Sequence, residues 1–168
     1  MQVTSKRAAS SIAGSRPRPY VVVGVDTSES ARNALRWAGR YAGAFDGTVV
    51  ATTALPDLAP STVDLPEAVD ALERKAQAAQ REARERLERL ASDIMGDTSR
   101  VVYAALPGGV VDVLLDVAAD ADLLVVGNTP RGALGRALLR SVRPSQLTQA
   151  ACPVVLVRGE PHPGRHPR

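Results

Sequence analysis

The most constraining feature of this sequence is a regular alternation between short apolar runs and longer segments with helical spacing. The runs are nearly continuous and rich in valine, as expected for strands that are buried on both faces of a parallel sheet. They lie at residues 20–25, 48–54, 100–105, 123–127 and 154–157. Strands that alternate with helices pair in parallel through right-handed crossovers. The sequence therefore predicts a single doubly wound α/β domain, with a five-stranded parallel sheet and helices on both faces.

The segments between the runs have the spacing and the capping residues of helices. Thr27 or Ser28 is suited to cap the first helix, and Asp64, with a glutamate three residues later, fits a capping box before the second. The second helix is long and is expected to end near Met95, and the last helix is expected to begin near Ser141. The predicted buried stripe of the long helix comprises Leu72, Ala76, Ala79, Ala83, Leu87 and Leu90. The third helix is marked by Val110, Val111, Leu114, Leu115 and Ala118.

Charge is distributed unevenly along the 168 residues. Residues 1–18 carry four basic side chains and no acid, and residues 158–168 carry three arginines and one acid, whereas residues 19–157 carry 14 basic and 17 acidic side chains. Both ends are polar and cannot bury enough surface to offset chain entropy. We predict a folded domain at 19–158 with disordered tails on either side. Because the basic residues are concentrated in the tails, we expect no nucleic-acid-binding face on the folded body.

Several classes of function have no support in the sequence. There is no run of about 18 apolar residues, which a membrane span would need. The two histidines lie in the last ten residues and Cys152 is the single cysteine, so no metal site is predicted. A dinucleotide-binding glycine motif after the first strand, a P-loop and a nucleophile elbow are all missing. We therefore predict a cytoplasmic protein that is not an enzyme and has no catalytic residues.

Polar residues and a glycine mark the ends of two strands. Asp26 follows the first strand directly, and the fourth strand ends in Gly127, which Asn128 follows. In open α/β sheets ligands bind beyond the carboxyl ends of the strands, where the strand order reverses. Asp26 can either accept hydrogen bonds from such a ligand or cap the first helix, and the sequence leaves both roles open.

Three segments together resemble the universal stress protein family. They are Val-Gly-Val-Asp-Thr-Ser at residues 23–28, Ala-Asp-Leu-Leu-Val-Val-Gly at 121–127 and Ala-Cys-Pro-Val-Val-Leu-Val at 151–157. The resemblance covers residues 20–158 and implies a Rossmann-like sheet of order 3-2-1-4-5. It also implies adenine-nucleotide binding and a homodimer that forms through the last strand. The strand residues concerned are Val154, Val155, Leu156 and Val157.

The resemblance also implies a set of site residues. Nucleotide-binding members of the family carry a glycine, two residues, a glycine, nine residues, and then Gly-Ser or Gly-Thr. The positions implied here are Asp26, Val126, Gly127, Pro130, Arg140, Ser141 and Val142. Two of the three motif glycines are thus replaced, by Pro130 and Arg140. Proline has no backbone N–H to offer a phosphate, and the arginine side chain adds bulk where close approach is needed.

The acid-free stretch around these substitutions leaves an alternative open. It contains Arg131, Arg136, Arg140 and Arg143, whose guanidinium groups can hold phosphate bidentately in place of backbone amides. The favoured hypothesis is a dimeric stress-response interaction module with weak, altered or absent adenine-nucleotide binding. The alternative is an ATP- or ADP-binding member whose nucleotide state controls its partners.

Overall fold

The computed structural model describes residues 19–57, 66–128 and 149–159. Its five strands are β1 (Tyr20–Gly24), β2 (Thr48–Leu55), β3 (Val101–Pro107), β4 (Leu123–Asn128) and β5 (Val154–Arg158). The helices in the described ranges are α1 (Glu29–Ala44), α2 (Pro66–Met95) and α3 (Val110–Val117).

All five strands pair in parallel, in the order β3-β2-β1-β4-β5. The predicted fold class and strand order are therefore confirmed. The order reverses between β1 and β4, whose carboxyl ends lie side by side because Gly24 pairs with Val126. A ligand site at the reversal would lie directly above these two strand ends.

The two faces of the sheet carry separate apolar cores. On one face Val21, Val23 and Val49 pack with residues of α1 and α2. On the other face Val22 and Leu124 pack with residues of α3. Helices thus cover both faces, as the continuous valine runs predict.

In the long helix α2 the predicted stripe is confirmed most clearly in its second half, where Ala83 and Leu87 are buried. The remaining members of the stripe are half-buried, namely Leu72, Ala76, Ala79 and Leu90.

Element boundaries differ from the sequence-based expectation by one or two residues. The largest difference is at β3, which runs to Pro107 and not to Ala105. Proline is tolerated there because β3 is an edge strand, where a missing N–H removes no bond to a neighbouring strand. Helix α3 ends at Val117, with Ala118 as its C-cap. Asp64 and Ser141, the expected starts of two helices, lie outside the described residues.

The free edge of β3 is contacted by a side chain of α2. Arg100 O accepts from Val49 N of β2 at 3.0 Å, so the odd-numbered residues of β3 direct their backbone groups away from β2. One of these groups, the carbonyl of Ala105, accepts a hydrogen bond from the Gln80 side chain of α2 at 2.8 Å. Pro107 is also an odd-numbered residue of β3, and it has no backbone N–H to offer a further strand. These features make β3 a poor template for a further strand.

No helix in the described ranges is long and apolar enough to cross a membrane.

Candidate functional site

Asp26 lies directly above the end of β1 and is tied to the first turn of α1. Its Oδ1 accepts hydrogen bonds from the backbone N–H of Ser28, at 2.8 Å, and from the Ser28 hydroxyl in a short contact. The Ser28 Oγ in turn accepts from Ala31 N at 3.2 Å, which makes Ser28 the N-cap of α1. The structure thus selects Ser28 over Thr27 as the cap. Asp26 supports the cap from two residues upstream and is not the cap itself.

A second hydroxyl extends this network below Ser28. The oxygens of Ser28 and Ser30 are 3.1 Å apart, and Ser30 is 1% exposed. Ser28 has one hydroxyl proton, which goes to the Asp26 carboxylate, so Ser30 is the donor in this contact. The result is a chain of hydrogen bonds that runs from the lip of the sheet into the packed start of α1.

Gly127, at the end of β4, lies against the same turn of α1. A Cβ added to Gly127 would lie 2.6 Å from Ser30 C, 2.7 Å from Ala31 N and 2.7 Å from Ser30 Oγ. Two of these atoms belong to the backbone and cannot move aside cheaply. Any residue other than glycine would therefore push α1 away from β4. Close packing of a helix is enough to require glycine here, whatever the residue contributes to a phosphate loop.

A small open pocket lies beside Asp26, between the strand ends and α3. It is lined by residues 24–26 of β1 and the segment that follows it, by residues 52–54 of β2, and by Val110 and Leu114 of α3, and it has a volume of about 50 Å³. The lining is mainly apolar and includes the carboxylate of Asp26 and two threonines, the combination of apolar surface and a few polar groups that ligand pockets share. By comparison, a dry cavity of about 150 Å³ holds a benzene molecule. The pocket therefore accommodates part of a ring, and the remainder of such a ligand would lie above the strand ends.

The backbone of Ala54 adds a donor and an acceptor to this pocket. Val25 N donates to Thr52 O at 2.8 Å, and Gly108 N donates to Leu55 O at 2.9 Å. The backbone groups of successive β2 residues therefore point alternately toward β1 and toward β3. By this alternation the N–H and C=O of Ala54 point to the β1 side. The register between β1 and β2 ends at Gly24 and Thr52, so Ala54 lies beyond the last paired residue.

The structure brings together three of the seven residues that the sequence implied for the site. Asp26 and Gly127 lie at adjacent strand ends around the start of α1, and Val126 is fully buried beneath them. Pro130, Arg140, Ser141 and Val142 lie outside the described residues.

Sequence reasoning missed the contributions of Ala54, of Ser30 and of the first turns of α3. For Ala54 the reason is visible only in the structure, where β2 has eight residues and β1 has five, so β2 extends past the end of its neighbour.

Within the described ranges, Cys152 has the surroundings of a packed cysteine. Burial raises the pKa of the Cys152 thiol, and the Asp122 carboxylate acts in the same direction, while backbone hydrogen bonds from Leu124 and from Cys152 itself oppose them. The neutral thiol therefore predominates near pH 7, which is typical of a packed cysteine and not of a nucleophile. Within the described ranges, no group of three or more His, Cys, Asp or Glu side chains is placed to hold a metal ion.

Comparison with known sequences gives one family. A model of the universal stress protein family matches residues 19–158. A universal stress protein of Mycolicibacterium smegmatis is 34% identical over 145 residues, which cover 83% of this chain and 48% of the relative. Universal stress protein Rv2623 of Mycobacterium tuberculosis is 28% identical over 152 residues, which cover 88% of this chain and 51% of the relative. The chain thus spans about half the length of these curated relatives.

Comparison with solved structures gives the same fold. A universal stress protein in complex with cAMP is 26% identical, with a TM-score of 0.54, and the match covers 84% of this chain and 98% of that one. The hypothetical protein MJ0577 has a TM-score of 0.65 at 17% identity, over 86% of this chain and 98% of the other. The second likeness concerns the fold alone.

Proposed function

This chain belongs to the universal stress protein family, and on that premise we propose that it is a dimeric regulatory module with an altered adenine-nucleotide site. We infer that the part of the site that binds the nucleoside is kept and that its affinity for the phosphates is much reduced. In this proposal the protein acts by binding and by interaction with partners, catalyses no reaction, and works in the cytoplasm. The related structure solved with cAMP supports an adenine nucleotide as the ligand class.

The observation that carries the proposal is that Asp26 lines a mainly apolar pocket beyond the ends of β1 and β2. A planar base that enters between Ala54 and Leu114 would place the attached sugar near the end of β1, where Asp26 lies. The backbone N–H and C=O of Ala54 can form hydrogen bonds with the edge of the base. The carboxylate of Asp26 is a strong acceptor for sugar hydroxyls. These groups form the nucleoside half of a nucleotide site.

The phosphate half is altered in two places. Loss of one charge-assisted hydrogen bond costs about 1.5–3 kcal/mol, or about ten- to a hundredfold in affinity. Pro130 removes an amide donor outright, and Arg140 introduces a side chain at a glycine position. Each effect reduces affinity, so we infer weak binding that gains little from added phosphates.

We expect adenosine and ATP to bind this chain with affinities that differ by less than about tenfold, because the phosphates find few amide donors. The measurement is calorimetric titration of the full chain with each ligand, after unfolding and refolding to remove any nucleotide carried through purification. ATP binding that is a hundredfold tighter than adenosine binding would contradict the proposal and would favour arginine side chains as substitutes for the lost amides.

The dimer is proposed to form by pairing of β5 with its copy. Leu124 N donates to Pro153 O at 3.0 Å, so the odd-numbered residues of β5 direct their backbone groups toward β4. The backbone N–H and C=O of Leu156 therefore point away from β4. In the described part of the chain no strand pairs with this outer side. Leu156 is also 52% exposed, one of two large apolar side chains that the described ranges leave so accessible. Because the opposite edge has one carbonyl bound by Gln80 and lacks an N–H at Pro107, β5 is the favoured edge for self-association.

Substitution of Leu156 by proline tests this pairing directly. The change removes an N–H that points away from β4, so the bonds between β4 and β5 stay in place while one bond to a partner strand is lost. We expect sedimentation velocity to show a dimer for the unchanged chain and mainly monomer for Leu156→Pro. The matched control, Leu156→Thr, keeps the N–H and should remain mainly dimeric. A Leu156→Pro chain that dimerises as strongly as the unchanged chain would exclude pairing through β5.

A further inference from the structure

The side of α1 that is not buried against the sheet carries two rows of side chains. The first row consists of exposed arginines four residues apart, Arg32, Arg36 and Arg40. The second consists of aromatic residues, also four apart, Trp37, Tyr41 and the C-cap Phe45. Because positions four residues apart lie on one side of a helix, each row forms a continuous strip. Arg40 lies three residues from Trp37, so the two strips adjoin and form one surface, which we call the α1 surface.

The arginines of the α1 surface lack, within the described part of the chain, the carboxylate partners that arginines of α2 have. No ion pair in these ranges involves Arg32, Arg36 or Arg40. The single acid of α1 is Glu29, and Arg36 NH1 donates at 2.7 Å to the neutral Asn33 Oδ1. On α2, by contrast, three exposed arginines each pair with a glutamate four residues away. Like charges four residues apart destabilise a helix, so bound carboxylates would relieve the repulsion along the α1 row.

The aromatic row is packed at one end and open at the other. The Trp37 and Tyr41 rings stack with centroids 5.3 Å apart and planes 11° apart, and the Tyr41 and Phe45 centroids are 5.2 Å apart with planes at 52°. Trp37 and Tyr41 are half-buried against the core beneath α1, whereas Phe45 is 57% exposed. The chain has one tryptophan, three tyrosines and one phenylalanine, and this row holds three of the five. Tryptophan, tyrosine and arginine are the residue types that contribute most to binding at protein interfaces.

We propose that the α1 surface binds an acidic segment of a partner protein, whose carboxylates pair with the arginine row while an apolar side chain packs on Phe45. This inference rests on the proposed role in partner interaction and adds the surface and the chemistry of the partner. A guanidinium can hold a carboxylate in a bidentate fork, and three of them over about two helical turns fit carboxylates spaced along one segment. Phe45 supplies an apolar anchor, which the site needs because exposed ion pairs alone contribute little.

The charge of the whole body favours a protein segment over a nucleic acid. Residues 19–157 carry 14 basic and 17 acidic side chains, so a long polyanion is repelled beyond the α1 surface itself. Single strands also bind by stacking their bases on open aromatic faces. Trp37 and Tyr41 stack on each other instead, and both pack against the core. A short acidic segment, which needs to face only this one helix, meets neither obstacle.

Trp37 is the only tryptophan in the chain, so its fluorescence reports directly on this surface. The test ligand is a synthetic amphipathic peptide, about five helical turns long, with glutamate along one side and leucine along the other. We expect it to shift the emission of the full chain with a dissociation constant below about 100 µM at low salt, and to bind more weakly as salt is raised. A peptide with glutamine in place of glutamate should bind at least about tenfold more weakly, and equal binding of the two peptides would overturn the inference.

Charge reversal locates the binding on the molecule. The variant Arg36→Glu with Arg40→Glu should weaken binding at least about tenfold, and Phe45→Ser about fivefold, with little change in melting temperature because these side chains are exposed. The matched control, Lys75→Glu with Arg81→Glu, makes the same charge change at exposed positions of α2 and should alter binding less than about twofold. Equal weakening by both double variants would reduce the effect to net charge and overturn the inference. Phe45→Ser without effect would equally overturn it, since the aromatic row would then take no part.

Further outcomes separate this inference from the rest of the proposed function. If oligothymidylate or vesicles rich in phosphatidylserine bind the full chain more tightly than the peptide, and Arg36→Glu with Arg40→Glu abolishes that binding, the partner is of another class and the inference fails. It fails as well if the peptide does not bind at about 1 mM. Neither result changes the expectations for nucleotide binding or for pairing through β5. A chain that binds the peptide but neither adenine nucleotide nor a second copy would leave the inference standing and overturn the nucleotide and dimer proposals.

Discussion

We expect the Gly127→Ala variant to lose about 3 kcal/mol of unfolding free energy in the absence of any ligand. The added Cβ would lie within 2.7 Å of two backbone atoms at the start of α1, where ordinary contacts are about 3.5–4.0 Å. Relief requires α1 to shift away from β4, which opens the core beneath Leu35 and Ala38. For a chain of this size the melting temperature should fall by about 10 °C.

The matched control is Gly43→Ala, near the end of the same helix. A Cβ at Gly43 meets no atom within 4 Å, so alanine should be neutral or should stabilise the chain by up to about 1 kcal/mol. Thermal and urea unfolding, both without nucleotide, measure the difference. A Gly127→Ala chain as stable as the unchanged one would show that α1 is not packed on β4 as closely as described, and would restrict the role of Gly127 to ligand binding.

The second large effect is expected from restoring the two missing glycines. The double variant Pro130→Gly with Arg140→Gly should bind ATP about ten- to a hundredfold more tightly than the unchanged chain, because it regains a backbone donor and room for close approach of phosphate. Adenosine affinity should stay the same, since the pocket around Asp26 is untouched. Calorimetric titration with both ligands therefore separates a gain in phosphate binding from a general change in the protein.

A matched control for the double variant is Arg136→Gly, which removes an arginine from the same acid-free stretch at one of the nine spacer positions, where the motif has no glycine. It should not strengthen ATP binding. If Arg140→Gly alone weakens ATP binding, the guanidinium is a phosphate ligand and not an obstacle, and the altered loop has exchanged amide donors for a side chain.

The sequence predicts the layers of this fold well because apolar periodicity records which surfaces are buried. The valine runs locate all five strands, and the stripe through Ala83 and Leu87 locates the buried side of α2. The strand order 3-2-1-4-5 did not follow from periodicity and came from the family resemblance. Strand ends were less accurate, because at β3 the local signal stops at Ala105, while an edge position lets the strand continue through Pro107.

The site was predicted only in part, for a physical reason. Asp26 stands out because an acid directly follows a buried strand, but its hydrogen bonds to Ser28 depend on how the chain turns into α1. The role of Ala54 depends on how far β2 extends beyond the end of β1. The role of Ser30 depends on how closely α1 approaches the end of β4. Such distances between elements leave no periodic trace in a sequence. Gly127 shows the same point, since the motif suggests a phosphate contact and the structure adds a packing requirement.

The two edges of the sheet are unequal as sites for further pairing. A two-fold axis at β5 would join two sheets into one of ten strands, and each outer margin of that larger sheet would be a β3 whose Ala105 carbonyl is bound by the Gln80 amide of α2. A third chain would meet a margin with one acceptor taken and one donor missing at Pro107. Growth by strand addition beyond two copies would therefore be disfavoured by residues on the far side of each subunit.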